Sequence, residues 1–333
     1  MRQHKPETIR TNSLRAWWSA ARPKTLTGAA APVMVALSAA WRDLNFAGSE
    51  GGEEGLLLQS GFSWTPALLS LLFALLMQVD ANFVNDFFDF KKGRDDRETR
   101  LGPPRACSEG WITPRAMEWG IGITTLLACL VGLPLVLWGG WWLVAIGVAC
   151  VVFCFLYTTL LAGIGLGDVL VLVFFGLVPV CATYFIQTGK MTLPVLLLSI
   201  GMGLATDCLL VVNNYRDRDQ DRAAGKRTIV VLLGGRFAEQ LYLLLGVIAV
   251  VLPLLPILYS SCKGNASFSN LTTSTFAPSL FTFIPLLYLI PHIRTWLHMK
   301  RLHSGRQLNQ VLGQTAANIF LFAVLQSLAL LLH

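Results

Sequence analysis

Charged side chains are scarce in this chain. They make up 14% of its 333 residues, while 54% are hydrophobic; soluble globular domains carry about 25% charged residues. That balance excludes an ordinary cytosolic enzyme. It equally excludes disorder, which requires high charge and low hydrophobicity. The seven cysteines contain no Cys-x-x-Cys spacing, so neither a disulfide framework nor a thiolate metal centre is indicated. Most lie inside apolar runs and read as packing residues. The charge that is present is uneven: positions 85–115 and 213–237 hold 22 of the 45 charged side chains.

Apolar runs of roughly 20 residues, long enough to span a bilayer, occur nine times. They cover 25–41, 66–84, 117–138, 141–160, 167–187, 192–212, 238–259, 277–293 and 311–332. Several contain proline, which membrane helices tolerate. The expected fold class is therefore all-α: a polytopic bundle of about nine transmembrane helices forming one domain over 1–333. Residues 1–15 make a basic tail, and 43–64 and 260–275 make outer loops. With nine crossings, 23 of the 26 Lys and Arg residues fall on the side of the N-terminus. The excess of basic residues marks the cytoplasmic face, so the N-terminus is expected inside. The net charge of +7 is then a topology signal and predicts no nucleic-acid partner. A cleaved signal peptide is not expected, because the run at 25–41 follows a tail with its own Arg22-Pro23-Lys24.

Two polar helix ends share a pattern. The second run ends in Asn85-Asp86-Phe87-Phe88-Asp89 and the sixth in Asn213-Asn214-Tyr215-Arg216-Asp217, both Asn-x-aromatic-x-Asp. Such pseudo-repetition is common in membrane proteins built from duplicated bundles. Helical spacing puts Gln78, Asn82, Asn85 and Asp89 on one stripe, and Thr206, Asn213, Asp217 and Asp221 on another. Acids stacked one turn apart need a cation between them, and an acid facing lipid costs roughly 2.5–3.5 kcal/mol at mid-membrane. No His or Cys accompanies these acids, which disfavours Zn²⁺. Oxygen ligands suit Mg²⁺ shared between carboxylates and a phosphate. Lys91, Lys92, Arg94, Arg97, Arg105, Arg216, Lys226 and Arg227 lie among them. Carboxylates with Lys and Arg at a cytoplasmic membrane mouth describe a Mg²⁺–pyrophosphate site, where the charge of a departing diphosphate is neutralised. Phe83, Phe87, Phe88, Phe153, Phe155 and Tyr157 offer aromatic faces to an allylic cation, although each also reads as ordinary packing.

At these residues the chain resembles the UbiA superfamily of intramembrane aromatic prenyltransferases, which carry two aspartate-rich motifs on nine helices. Asn85 through Asp95, Leu101-Gly102-Pro103-Pro104-Arg105, Asn213 through Asp221, Gly225-Lys226-Arg227-Thr228 and Ala21 through Leu26 resemble its 1,4-dihydroxy-2-naphthoate polyprenyltransferase branch. So do Gly165 through Gly189, and Leu308-Asn309 ahead of Thr315-Ala316. Gly93 stands where other branches have the last acid of the first motif, with Asp95 two residues on. Leu160-Leu161-Ala162 replaces the Gly-Pro-type loop expected after Tyr157.

The resemblance implies transfer of a polyprenyl group from its diphosphate to an aromatic acid, with loss of CO₂, at the cytoplasmic face of a bacterial inner membrane. It implies two Mg²⁺ bridged by diphosphate. Asn85, Asp86, Asp89 and Asp95 would hold one, and Asn213, Asp217 and Asp221 the other. Lys226, Arg227 and Lys91 would contact phosphate oxygens, and Arg105 would lie in a loop closing over the site. Arg22 and Lys24 would meet either the aromatic carboxylate or the diphosphate, with Tyr157 and Asp168 near the cation and acceptor. No obligate protein partner is implied. Two rival readings stand beside this one. The same superfamily takes other acceptors (4-hydroxybenzoate, homogentisate, a porphyrin or a chlorin). A secondary transporter would use intramembrane acids such as Asp80, Asp168 and Asp207, but here the acids gather at one membrane face.

Overall fold

The computed structural model describes residues 9–47, 61–93, 100–159, 165–256, 258 and 280–332. Among them there is no strand, as expected of a chain whose backbone must satisfy its own hydrogen bonds away from water. The helices are α1 (Leu14–Ala21), α2 (Pro23–Ala47), α3 (Trp64–Lys91), α4 (Pro114–Gly139), α5 (Trp142–Thr159) and α6 (Gly167–Thr188). They continue as α7 (Leu193–Ala223), α8 (Ile229–Leu233), α9 (Gly235–Leu254), α10 (Leu280–Leu302) and α11 (Leu308–Leu331).

A helix overlies each of the nine apolar runs. Seven of these helices (α3, α4, α6, α7, α9, α10 and α11) are long and apolar enough to cross a membrane. α2 is interrupted by Thr, Gly, Pro and Ser, and α5 has 18 residues. Proline leaves its mark where it removes a backbone donor. Pro134 and Pro253 sit in 3₁₀ turns within α4 and α9, Pro285 lies in the 3₁₀ start of α10, and a π-turn at Val173–Leu177 precedes Pro179 in α6.

α3 and α7 run well past their apolar stretches, to Lys91 and Ala223. Hydrophobicity marks where a helix meets lipid, not where the helix stops, so both polar motifs stay helical. The bundle packs through small residues, as membrane helices do. Ala31, Ala36, Ala39 and Ala40 of α2 are buried against Val180 and Tyr184 of α6, Met202 of α7, and Ile319 and Phe322 of α11. A second cluster joins Val211, Val212 and Tyr215 of α7 to Tyr242 of α9 and to Leu308 and Val311 of α11. A third seats α1, Phe83 and Phe87 of α3, Met117 and Ile121 of α4, and Ala106, Cys107 and Ile112 of the 100–113 loop. The last two clusters hold the motif-bearing helix ends in place.

Candidate active site

Between α2, α3, α4, α5, α6, α7 and α11 lies a cavity of ≈ 1230 Å³. One end is charged. Asp89 of α3 and Asp217 and Asp221 of α7 line it, together with Arg22, Lys24, Arg100, Arg105, Arg216 and Lys226. Six basic side chains against three acids leave an excess of positive charge, as a polyanionic ligand requires. Burial and the neighbouring Arg105 push the Arg100 guanidinium down to about 10. The same causes push Arg22 down. Both shifts describe cations held mainly out of water and, second, beside one another, surroundings in which a nearby anion favours the charged form.

The rest of the lining is largely apolar and runs deep. Ser70 and Asp89 both line the cavity, 19 positions apart on α3, or roughly 28 Å at 1.5 Å per residue. Phe73, Leu133, Val136, Leu143 and Ile186 stand toward the far end, and Phe153, Phe174 and Phe175 between.

Each cavity acid carries a cationic partner. Arg105 Nη2 donates to Asp89 Oδ2 at 3.1 Å, and Lys226 Nζ donates to Asp221 Oδ1 at 2.6 Å. Arg216 grips Asp217 with two bonds of 2.7 and 2.6 Å, the bidentate geometry that guanidinium and carboxylate favour. Among the described residues no three His, Cys, Asp or Glu side chains converge on one point. The cavity therefore offers a metal one or two carboxylates at a time, with the amide oxygens of Asn85 and Asn213 alongside. Hard oxygen donors in that number fit Mg²⁺, which keeps its waters and shares itself with phosphate oxygens.

The polar stripes face where their spacing put them. Gln78, Asn82, Asn85 and Asp89 line the cavity, as do Thr206, Asn213, Asn214, Asp217 and Asp221, while Asp207 is buried away from it. Arg22 occupies a left-handed conformation (φ 52°) between α1 and α2. That backbone is unusual for a non-glycine residue and needs outside support. The Asn82 amide supplies it, donating to Ala21 O and to Thr25 Oγ1, both at 2.9 Å. The result aims a guanidinium into the cavity with its Nη2 buried and lacking a hydrogen-bond partner.

Tyr157, Lys24, Asn85, Asn213 and Arg105 also line the cavity; Asp86, Lys91, Arg227 and Asp168 do not. Asp86 is 1% exposed, and its carboxylate accepts the backbone N–H groups of Ala106 at 2.8 Å and Cys107 at 2.9 Å. It pins the loop that carries Arg105. Lys91 pairs with Glu118 at 3.1 Å on the surface and lies over the Phe87 ring. Arg227 is exposed, and Asp168 stands in the first turn of α6. Asp95 lies outside the described residues. Arg216, one of the basic residues expected among the acids, also lines the charged end, and two residues outside the expected set complete it: Arg100 and Asn309. Arg216 directly precedes an acid in the motif. Asn309 belongs to the last helix, and no local pattern ties it to the acids.

A helical membrane bundle enclosing a deep apolar cavity with a cationic, carboxylate-bearing mouth is the architecture of an intramembrane prenyltransferase. The chain belongs to the UbiA prenyltransferase family, which matches residues 55–281. It is an integral membrane protein and a prenyltransferase. It is 35% identical over 230 residues to the 1,4-dihydroxy-2-naphthoate octaprenyltransferase of Haemophilus influenzae, covering 66% of this chain and 70% of that protein. It is 34% identical to the Mycobacterium leprae protein of the same name, over 72% of this chain and 78% of the other. Among solved structures, a UbiA homologue from Archaeoglobus fulgidus bound to DMAPP and Mg²⁺ superposes with a TM-score of 0.59 at 13% identity. That match covers 95% of this chain and 98% of the homologue.

Proposed function

We propose that the enzyme transfers a polyprenyl group from polyprenyl diphosphate to 1,4-dihydroxy-2-naphthoate, with decarboxylation, giving demethylmenaquinol. The observation that carries this reading is the cavity itself: six basic and three acidic side chains at one end of an apolar passage roughly 28 Å deep. One end suits a diphosphate with its metal and the other a long isoprenoid. The naphthoate acceptor is supported by the names of the relatives at 34–35% identity.

Asp89, Asp217 and Asp221, with Asn85 and Asn213, would hold Mg²⁺, which when bound to the diphosphate lowers the energy of the leaving group's developing charge. Two ions would be bridged by one diphosphate. Arg100, Arg105 and Lys226 contact the diphosphate oxygens, and Arg216 orients Asp217. The C–O bond to the diphosphate breaks and its electron pair leaves with phosphate, giving an allylic cation. Tyr157 and the apolar wall below it exclude water from that cation. The electron-rich ring carbon bearing the carboxylate then bonds to C1 of the prenyl chain. Cleavage of the ring C–CO₂ bond returns its electron pair to the ring, so no proton is needed to close the balance. Arg22 and Lys24 stand at the same end for the acceptor's carboxylate. Asp86 supports the loop.

Nine crossings with the N-terminus cytoplasmic are supported by the 23 of 26 basic residues that this topology puts on one face, and a bacterial cytoplasmic membrane by the bacterial relatives. The test is transfer by purified protein in detergent with Mg²⁺, radiolabelled polyprenyl diphosphate and a panel of aromatic acids. A lipid-soluble product with dihydroxynaphthoate, lost in Asp89→Ala and Asp217→Ala, is expected. No product with any acceptor, or product undiminished in both variants, overturns the enzyme reading. Product from 4-hydroxybenzoate but not from dihydroxynaphthoate overturns the acceptor.

A further inference from the structure

The two acid-bearing helix ends are joined through a residue that belongs to neither. Asn309 is the second residue of α11. Its neighbours Leu308 and Val311 are fully buried against Val211, Val212 and Tyr215 of α7, which fixes the start of α11 beside the second motif. The Asn309 amide makes two bonds of opposite sense. Oδ1 accepts from Arg216 Nη1 at 2.8 Å, across 93 positions of sequence. Nδ2 donates to the carbonyl of Leu101 at 2.8 Å, across 208 positions. One bond needs an acceptor and the other a donor, so the amide has a single satisfying orientation.

The chain of contacts continues at both ends. Arg216 grips Asp217, and from the same loop as Leu101, Arg105 reaches Asp89. A polar path thus runs from the first-motif acid, through the 100–105 strap, to Asn309, to Arg216 and on to the second-motif acid. Arg216 also lies against the strap at Gly102, where a Cβ would stand 3.1 Å from its Nη2.

We propose that Asn309 is a positioning residue that locks the strap over the diphosphate end of the cavity and sets the Arg216–Asp217 pair in the same act. It acts through Arg216 and Leu101 and contacts no reacting atom. Both acid motifs are thereby set for one ligand together. The proposal rests on the reading of this cavity as the diphosphate site.

Two substitutions separate the two bonds. Asn309→Asp keeps an oxygen for Arg216 but has no hydrogen for the Leu101 carbonyl; Asn309→Ala loses both. Cys107 is the reporter: it lies in the same loop, two residues after Arg105, and is 4% exposed, and its alkylation in the purified full-length protein is followed by peptide mass spectrometry without substrate. Both variants are expected to label Cys107 roughly ten-fold faster than wild type, the equivalent of one lost hydrogen bond. The donor KM is expected to rise roughly ten-fold in Asn309→Asp and further in Asn309→Ala, with the acceptor KM within two-fold. Wild-type labelling rates in Asn309→Asp overturn the proposal, and so does an equal rise of both KM values, which would indicate general loosening of the bundle. If Asn309→Ala does not fold, Asn309→Asp decides alone. Absence of prenyl transfer in the wild type would sink the functional reading, yet the labelling comparison would still decide whether Asn309 ties down the strap.

Discussion

Asp86 and Asp89 lie one turn apart in the same motif, and the structure gives them opposite duties. Asp86 is buried, with both carboxylate oxygens on backbone N–H groups of the loop, at 2.8 and 2.9 Å. Asp89 opens onto the cavity. Replacing Asp86 by Asn turns one oxygen into an NH₂ group that faces a buried N–H. The loss is one charge-assisted hydrogen bond plus an unsatisfied donor, about 2–3 kcal/mol. If the loop opens in order to react, its opening equilibrium rises roughly 30- to 150-fold, at 1.4 kcal/mol per factor of ten. Cys107 reads this out. Its thiol is pushed up by burial and by the adjacent Asp86 carboxylate, so in the closed loop it is a poor nucleophile and alkylation tracks opening. Asp89→Asn instead weakens a single ion pair at 3.1 Å that is partly open to solvent. Asparagine keeps an amide oxygen for Arg105, so the loss is part of one hydrogen bond, about 1 kcal/mol, or about five-fold in labelling. Peptide-resolved alkylation of wild type, Asp86→Asn and Asp89→Asn under one set of conditions makes the comparison. Labelling of Asp86→Asn at the wild-type rate, or labelling of Asp89→Asn faster than Asp86→Asn, refutes the assignment of Asp86 to the loop.

Other outcomes follow from the same geometry. Asp217→Asn should lower kcat/KM by about 10²–10³ with little change in thermal unfolding, since removing a group that meets developing charge costs activity in that range; a matching loss of stability would contradict it. Chelation with EDTA should abolish transfer and added Mg²⁺ restore it, whereas activity persisting in excess chelator would remove the metal from the reading. Lys91→Ala should stay within two-fold of wild type, because its pair with Glu118 is exposed on both sides and such pairs contribute about 0–1 kcal/mol; a ten-fold rise in donor KM would return Lys91 to the diphosphate. Gly246→Ala should destabilise by roughly 1–3 kcal/mol in thermal unfolding, because a Cβ there runs into the His292 ring stacked between Tyr242 and Tyr288; unchanged unfolding would show that the ring has room to move.

What the sequence made legible, and what it hid, divides along a physical line. Apolar length located the long helices, though not the short α1 and α8, because a span must be about 20 residues of grease whatever it packs against. Four-residue spacing found the cavity faces of α3 and α7, because side chains one turn apart share a surface whatever lies opposite. Neither rule reports the far side of a contact. Asp86 directly follows Asn85, about 100° further round the helix, and so points to the side of the stripe, and only the fold reveals that a loop backbone waits there. Lys91 carries the right charge beside the right acids, yet it lies past the cavity and turns to Glu118. The Arg216–Asp217 pair is adjacent in sequence, where helical periodicity assigns different faces, but a long guanidinium folds back onto its neighbour. Asn309 is the extreme case: its two partners lie 93 and 208 positions away, and although Leu308-Asn309 carries part of the family resemblance, no spacing ties it to either acid motif. Local rules recover the residues that line the cavity from a helix face. The residues that hold those faces in register are set by tertiary contact, so they emerge only once the last helix is seen to start beside the second acid motif.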